Sequence, residues 1–184
     1  MTLLQESLHR QLLLSAKPPG RWAIVLLPIL VAAVVAACGE GAVGTPDFQL
    51  TQFDGSEFRL SDHAGSSGAV INFWYPTCPP CRAEMPAFEA AWQKLKGERD
   101  TVKFLGVFVP QGFDSEQDAR DFIHELGLTY SFATDLGARV ARLFEVEVYP
   151  TTVFVNDSGE LFRKHISTLD EEQIVRIVQE MSQG

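Results

Sequence analysis

The sequence predicts an α/β fold, a central mixed β-sheet flanked by helices, with a β-hairpin added on its N-terminal side. Three observations carry this. Ala69 to Trp74 (AVINFW) and Val102 to Val109 (VKFLGVFV) are near-continuous apolar runs of strand length, suited to strands buried on both faces. Between them Met85, Phe88, Trp92 and Leu95 recur at helical spacing, which makes strand, helix and strand one βαβ unit. Toward the C-terminus, Thr152 to Asn156 and Leu161 to Ile166 flank the turn signal Asn156-Asp157-Ser158-Gly159, and a helix follows.

The chain begins with a segment that does not belong to that fold. Trp22 to Ala37 carries no charge, and Arg10, Lys17 and Arg21 precede it. This is a targeting pattern. A spanning helix needs roughly 20 apolar residues, and this run is shorter, contains Pro28 and is closed by Gly39 and Glu40. Residues 1–37 therefore read as a signal peptide of lipoprotein type or an N-terminal membrane anchor. Val35-Ala36-Ala37-Cys38-Gly39 resembles the bacterial lipobox, which implies lipidation of Cys38. Residues 38–45 form a small, Gly-rich tether. Residues 46–184 form the folded domain.

Within it, Phe48 to Thr51 and Glu57 to Leu60 alternate around Asp54-Gly55 and predict the added hairpin. The segment from about Pro79 to Lys96 is a helix with Pro86 in its interior, where it should kink. A second helix runs from Ser115, its cap, to Leu126, with Ala119, Phe122, Ile123 and Leu126 inward and Gly127 ending it. A short third helix covers roughly Leu136 to Phe144, and the whole stretch from 115 to 144 reads as a helical link between the two halves. The last helix buries Ile174, Ile177, Val178 and Met181, with Thr168 and Glu171 spaced as a capping box.

Composition narrows the function. Residues 1–37 hold three of the 15 Lys/Arg and one of the 24 Asp/Glu, so the remainder has a net charge of −11. Such a charge argues against nucleic acid and anionic lipid headgroups as partners. Once Cys38 is assigned to the lipid, only Cys78 and Cys81 remain as thiols. A disulfide between them closes a tiny loop and stabilises the fold little, so a catalytic pair is favoured over a structural one.

The motif itself is Trp74-Tyr75-Pro76-Thr77-Cys78-Pro79-Pro80-Cys81-Arg82, a CxxC where a strand ends and a helix starts. There the helix dipole and free amides favour an anion, so Cys78 is the candidate nucleophile. Cys81, about one turn on and facing the apolar stripe, is less exposed and is the candidate resolving thiol. Glu84 follows Cys81 by three residues on the same helix face, where a carboxyl is partly desolvated, its pKa raised, and able to accept the Cys81 proton.

These residues resemble the TlpA/ResA-like branch of the thioredoxin superfamily, redoxins akin to AhpC/TSA proteins. The resemblance covers residues 46–184. It rests on Thr45-Pro46-Asp47-Phe48, on Asn72-Phe73-Trp74 leading into Cys78 to Cys81, on Arg82-Ala83-Glu84-Met85-Pro86, and on Val148-Tyr149-Pro150-Thr151-Thr152. It implies a thioredoxin-like fold and a bacterial membrane-tethered thiol-disulfide oxidoreductase on the extracytoplasmic face. It further implies that Pro150 is the family's cis-proline, leaving the isomer open in sequence alone, and that Trp74, Tyr149 and Pro150 meet the substrate. Implied partners are protein disulfides, with apocytochromes c and copper-site proteins among them, and a membrane thiol electron donor. No bound cofactor and no metal is implied, the redox-active disulfide Cys78-Cys81 sufficing. Thr77 and Ser167 depart from the pattern, standing where Trp and Gly are common. His63, His124 and His165 read as surface or edge residues. Rival readings are a thiol peroxidase, against which Tyr75 stands where peroxiredoxins carry Thr, and a non-enzymatic copper chaperone, which usually spaces its cysteines by three and adds a His.

Overall fold

A computed structural model of the chain describes residues 44–97 and 102–183. The signal segment 1–37 and Cys38 lie outside the described residues, as does the tether up to residue 43. Five strands form the main sheet in the order β5-β4-β3-β6-β7. β3 (Ala69–Trp74), β4 (Lys103–Phe108) and β5 (Ser131–Thr134) are parallel; β6 (Thr151–Val155) and β7 (Leu161–Ile166) continue the sheet antiparallel. A separate antiparallel hairpin, β1 (Gln49–Thr51) and β2 (Glu57–Arg59), turns at Gly55, whose φ of 88° favours glycine. It docks on the outer edge of β5 through a bridge between Gln52 and Ala133 and a bond from the Phe53 N–H to the Phe132 carbonyl at 2.8 Å.

Alternation along the central strands divides the core in two. Val70, Trp74 and Phe154 point to the face covered by α1 (Pro79–Leu95), α2 (Glu116–Glu125) and α4 (Glu171–Met181), where Met85, Phe88, Phe122, Ile174 and Val178 meet them. Ile71, Phe73, Leu105, Val107 and Val153 point to the other face, against the hairpin and α3 (Arg139–Leu143). Asn72 shares the first face and is buried within it.

The structure corrects two expectations. The link from 115 to 144 is not wholly helical: it contains β5, a four-residue strand in which Phe132 and Ala133 are buried. The cap of α4 is Asp170, which accepts from the Gln173 N–H at 2.8 Å while the Gln173 side chain accepts from the Asp170 N–H at 2.9 Å. The Thr168 and Glu171 spacing fits a capping box, but the helix starts two residues later. Ser115 caps α2 as expected, in a full box with Asp118.

Candidate functional site

Strand β3 delivers the CxxC. It ends at Trp74, the Cys78 N–H closes a turn onto the Tyr75 carbonyl at 3.1 Å, and Cys78 becomes the N-cap of α1 in an extended conformation. Pro79 and Pro80 occupy the first helical positions, where a missing N–H costs nothing. The Cys81 N–H is therefore the first free amide of the helix, and it donates to Cys78 Sγ at 3.2 Å. The two sulfurs are joined as a disulfide. Cys78 is 2% exposed and Cys81 is fully buried, so the order of access matches the sequence reading, although neither residue protrudes.

Glu84 points into the protein from the next turn of α1 and is 2% exposed. Its Oε1 accepts from Asn72 Nδ2 at 2.8 Å and its Oε2 from the Leu169 backbone N–H at 3.1 Å. Burial dominates these two bonds, which favour the ionised form, and pushes the carboxyl up to about 7.

β6 pairs with β3 so that Thr151 lies opposite Phe73, which carries Pro150 to the same sheet end as the CxxC. The Tyr149-Pro150 bond is cis. The Pro150 carbonyl accepts from the Ser167 N–H at 3.1 Å. Ser167 has a φ of 116°, a conformation that favours glycine, so serine adopts here a backbone that glycine would take more readily. Half-buried Tyr149 packs edge-on against Tyr75, ring centroids 5.3 Å apart.

Trp74 requires a correction. It is fully buried, against Phe108, Phe122 and Phe132, and cannot touch a protein substrate at the surface. Its neighbour Tyr75, half-buried and against Tyr149, is the aromatic that borders the site, a place the sequence reading, which used Tyr75 only against the peroxidase alternative, does not give it. The signal was available: β3 is buried on both faces, so its last residue points inward and the first residue beyond it is free to turn out. Beside the CxxC, Arg82 lies 4.1 Å over the Phe122 ring and donates to the Pro76 carbonyl at 3.2 Å. An open cavity of about 650 Å³ adjoins these residues and Thr77, and Phe113 stands fully exposed on its rim. No group of His, Cys, Asp or Glu suited to a metal ion occurs among the described residues.

A buried cysteine pair joined as a disulfide at a helix start, set beside a cis-proline at one end of a mixed five-stranded sheet, defines a thiol-disulfide oxidoreductase of thioredoxin-like fold. The chain belongs to the AhpC/TSA family, which matches residues 43–163, and within it to the ResA-like thiol-disulfide oxidoreductases. The thiol-disulfide oxidoreductase ResA of Geobacillus kaustophilus is 34% identical over 137 residues, 73% of this chain and 75% of that protein. The thioredoxin-like protein YneN of Bacillus subtilis is 32% identical over 130 residues, 70% and 73% of the two chains. Among solved structures, the exposed lipoprotein thioredoxin of Streptococcus pneumoniae superimposes with a TM-score of 0.61 at 28% identity, covering 73% of this chain and 99% of its own.

Proposed function

We propose that this oxidoreductase works outside the cytoplasm as a reductase of protein disulfides. The observation that carries the proposal is the sulfur pair at the start of α1, with one free amide to steady Cys78 and a buried carboxyl one turn below Cys81. In the reduced enzyme the Cys78 thiolate attacks one sulfur of a partner disulfide, and the other partner sulfur leaves as a thiolate. Glu84 takes the proton of Cys81. The Cys81 thiolate then attacks Cys78 Sγ in the mixed disulfide, expelling the second partner sulfur. Two electrons have passed to the partner and Cys78-Cys81 is a disulfide, which a membrane dithiol donor reduces again. No bound cofactor is required. The partner chain lies along Tyr149 and Pro150 just before β6, with Tyr75 beside it.

Pro79 and Pro80 favour the reducing direction. A thiolate at a helix start is ordinarily supported by several amides, and here two of the first three residues have none, so the reduced form is less stabilised. The extracytoplasmic location and the lipid anchor at Cys38 are supported by the lipobox-like residues 35–39 and by the lipoprotein nature of the pneumococcal thioredoxin. No helix among the described residues is long and apolar enough to cross a membrane.

The test is the midpoint potential of the Cys78-Cys81 couple against glutathione or dithiothreitol buffers, together with turnover on a protein disulfide. A potential at or below about −270 mV, with turnover abolished by Cys78→Ser, is expected. A potential near about −120 mV would instead describe an enzyme that installs disulfides.

A further inference from the structure

One row of residues crosses the sheet beneath the site. Gly106 on β4 lies opposite Asn72 on β3, Asn72 opposite Thr152 on β6, and Thr152 opposite His165 on β7. The row faces α1 and α4, and its polar members stand among Val70, Trp74 and Phe154, where an unbonded polar group is costly. Asn72 spends both hydrogens of its amide: Nδ2 donates to Glu84 Oε1 at 2.8 Å and to Thr152 Oγ1 at 3.1 Å. Its Oδ1 is buried with no partner. Turning the amide over would leave Nδ2 at that unpartnered place and set Oδ1 against the Glu84 carboxylate, acceptor facing acceptor. The orphaned oxygen is thus the cost of pointing the donor at Glu84.

We propose that Asn72, held in place by Thr152, is a positioning residue that stabilises the ionised form of Glu84 and so sets the pH at which Glu84 can take the Cys81 proton. The proposal rests on reading Glu84 as that proton acceptor. With the Leu169 N–H on Oε2, each carboxylate oxygen receives one donor, an arrangement matched to the charged group. Burial alone would keep Glu84 protonated at neutral pH, and a protonated carboxyl is far too weak a base to take a thiol proton. The other groups around it are few. Tyr130, just before β5, whose hydroxyl donates to Met85 Sδ at 2.9 Å, is held neutral by its own burial and by the Glu84 charge. Cys81 lies one turn back on α1, the loop before α4 contributes only the Leu169 amide, and His165 stands at the β7 end of the row. No Lys or Arg pairs with Glu84 among the described residues.

The test follows the Glu84 side-chain carboxyl by carbon-13 NMR against pH in the disulfide form, where no thiol titrates. Asn72→Ala is expected to tighten proton binding by Glu84 about tenfold, moving its midpoint up by about one pH unit. Thr152→Val is expected to move it the same way by less, and His165→Gln to leave it in place. A midpoint that stays or falls in Asn72→Ala overturns the proposal. Independently of any variant, the Asn72 side-chain amide signals of the unaltered protein must shift with the Glu84 midpoint; signals flat through that range also overturn it. The pH profile of the resolving step, measured in the reduced enzyme, separates the two readings. Should the carboxyl midpoint move in Asn72→Ala while that profile does not, Glu84 is not the Cys81 base, and the positioning role stands without it.

Discussion

At Glu84, burial and two donated hydrogen bonds pull in opposite directions, and burial wins. The folded protein holds this proton more tightly than the unfolded chain does, with a value near 7 against an ordinary 4.5. The stability that results is complete below pH 4.5 and gone above pH 7, a loss of about 3 kcal/mol across that window. Glu84→Gln should remove this slope, so that denaturant midpoints of the disulfide form at pH 5 and pH 8 converge. A variant that keeps the full slope would place the titration elsewhere. The sequence discloses Glu84 because spacing of three on a helix is a local rule. It does not disclose the partners of Glu84. Thr152 is 80 residues from Asn72, and only the strand register brings them together. Trp74 was misplaced for a related reason, since nearness to Cys78 in sequence says nothing of which way a residue points at a strand end. Pro150 was legible as a residue but not as an isomer, because most X-Pro bonds are trans and the preference is small.

Among the elements, β4 depends on a residue with no side chain. A Cβ built on Gly106 would lie 2.4 Å from the Phe132 ring and 3.2 Å from the Trp74 indole nitrogen. This close approach lets Phe132 of β5 lie against Trp74 of β3 across the strand between them, centroids 5.9 Å apart. Gly106→Ala must displace two packed rings and is expected to cost about 3 kcal/mol or more, read as a fall in denaturant midpoint. A loss under about 1 kcal/mol would mean that the aromatic cluster has room to shift. The strands and helices with full periods, β3, β4, α1, α2 and α4, were all legible. β5 was not, because four residues give no period and only two of them are buried. The start of α4 slipped because Thr168 and Asp170 both satisfy the capping chemistry, and Leu169, buried at 3% exposure, fixes which one is used.

Taken whole, the sheet has two unlike margins. The β1-β2 hairpin covers β5, while β7 ends the sheet with Leu161 and Ile166 half open to solvent. A bare strand margin invites pairing with another chain, and β7 carries Arg163, Lys164 and His165 in a row. Replacing Arg163 and Lys164 together by threonine should increase self-association, measured by sedimentation at high protein concentration. An unchanged sedimentation profile would show that these charges do no guarding. The capped margin has a consequence of symmetry. A molecule that can join others along only one side forms a closed twofold pair at most, because both copies have then used their single open margin. An unending ribbon needs two. By covering β5 the hairpin removes one of them, and the chain, however concentrated, is thereby kept from growing into fibres through its sheet, whatever becomes of β7.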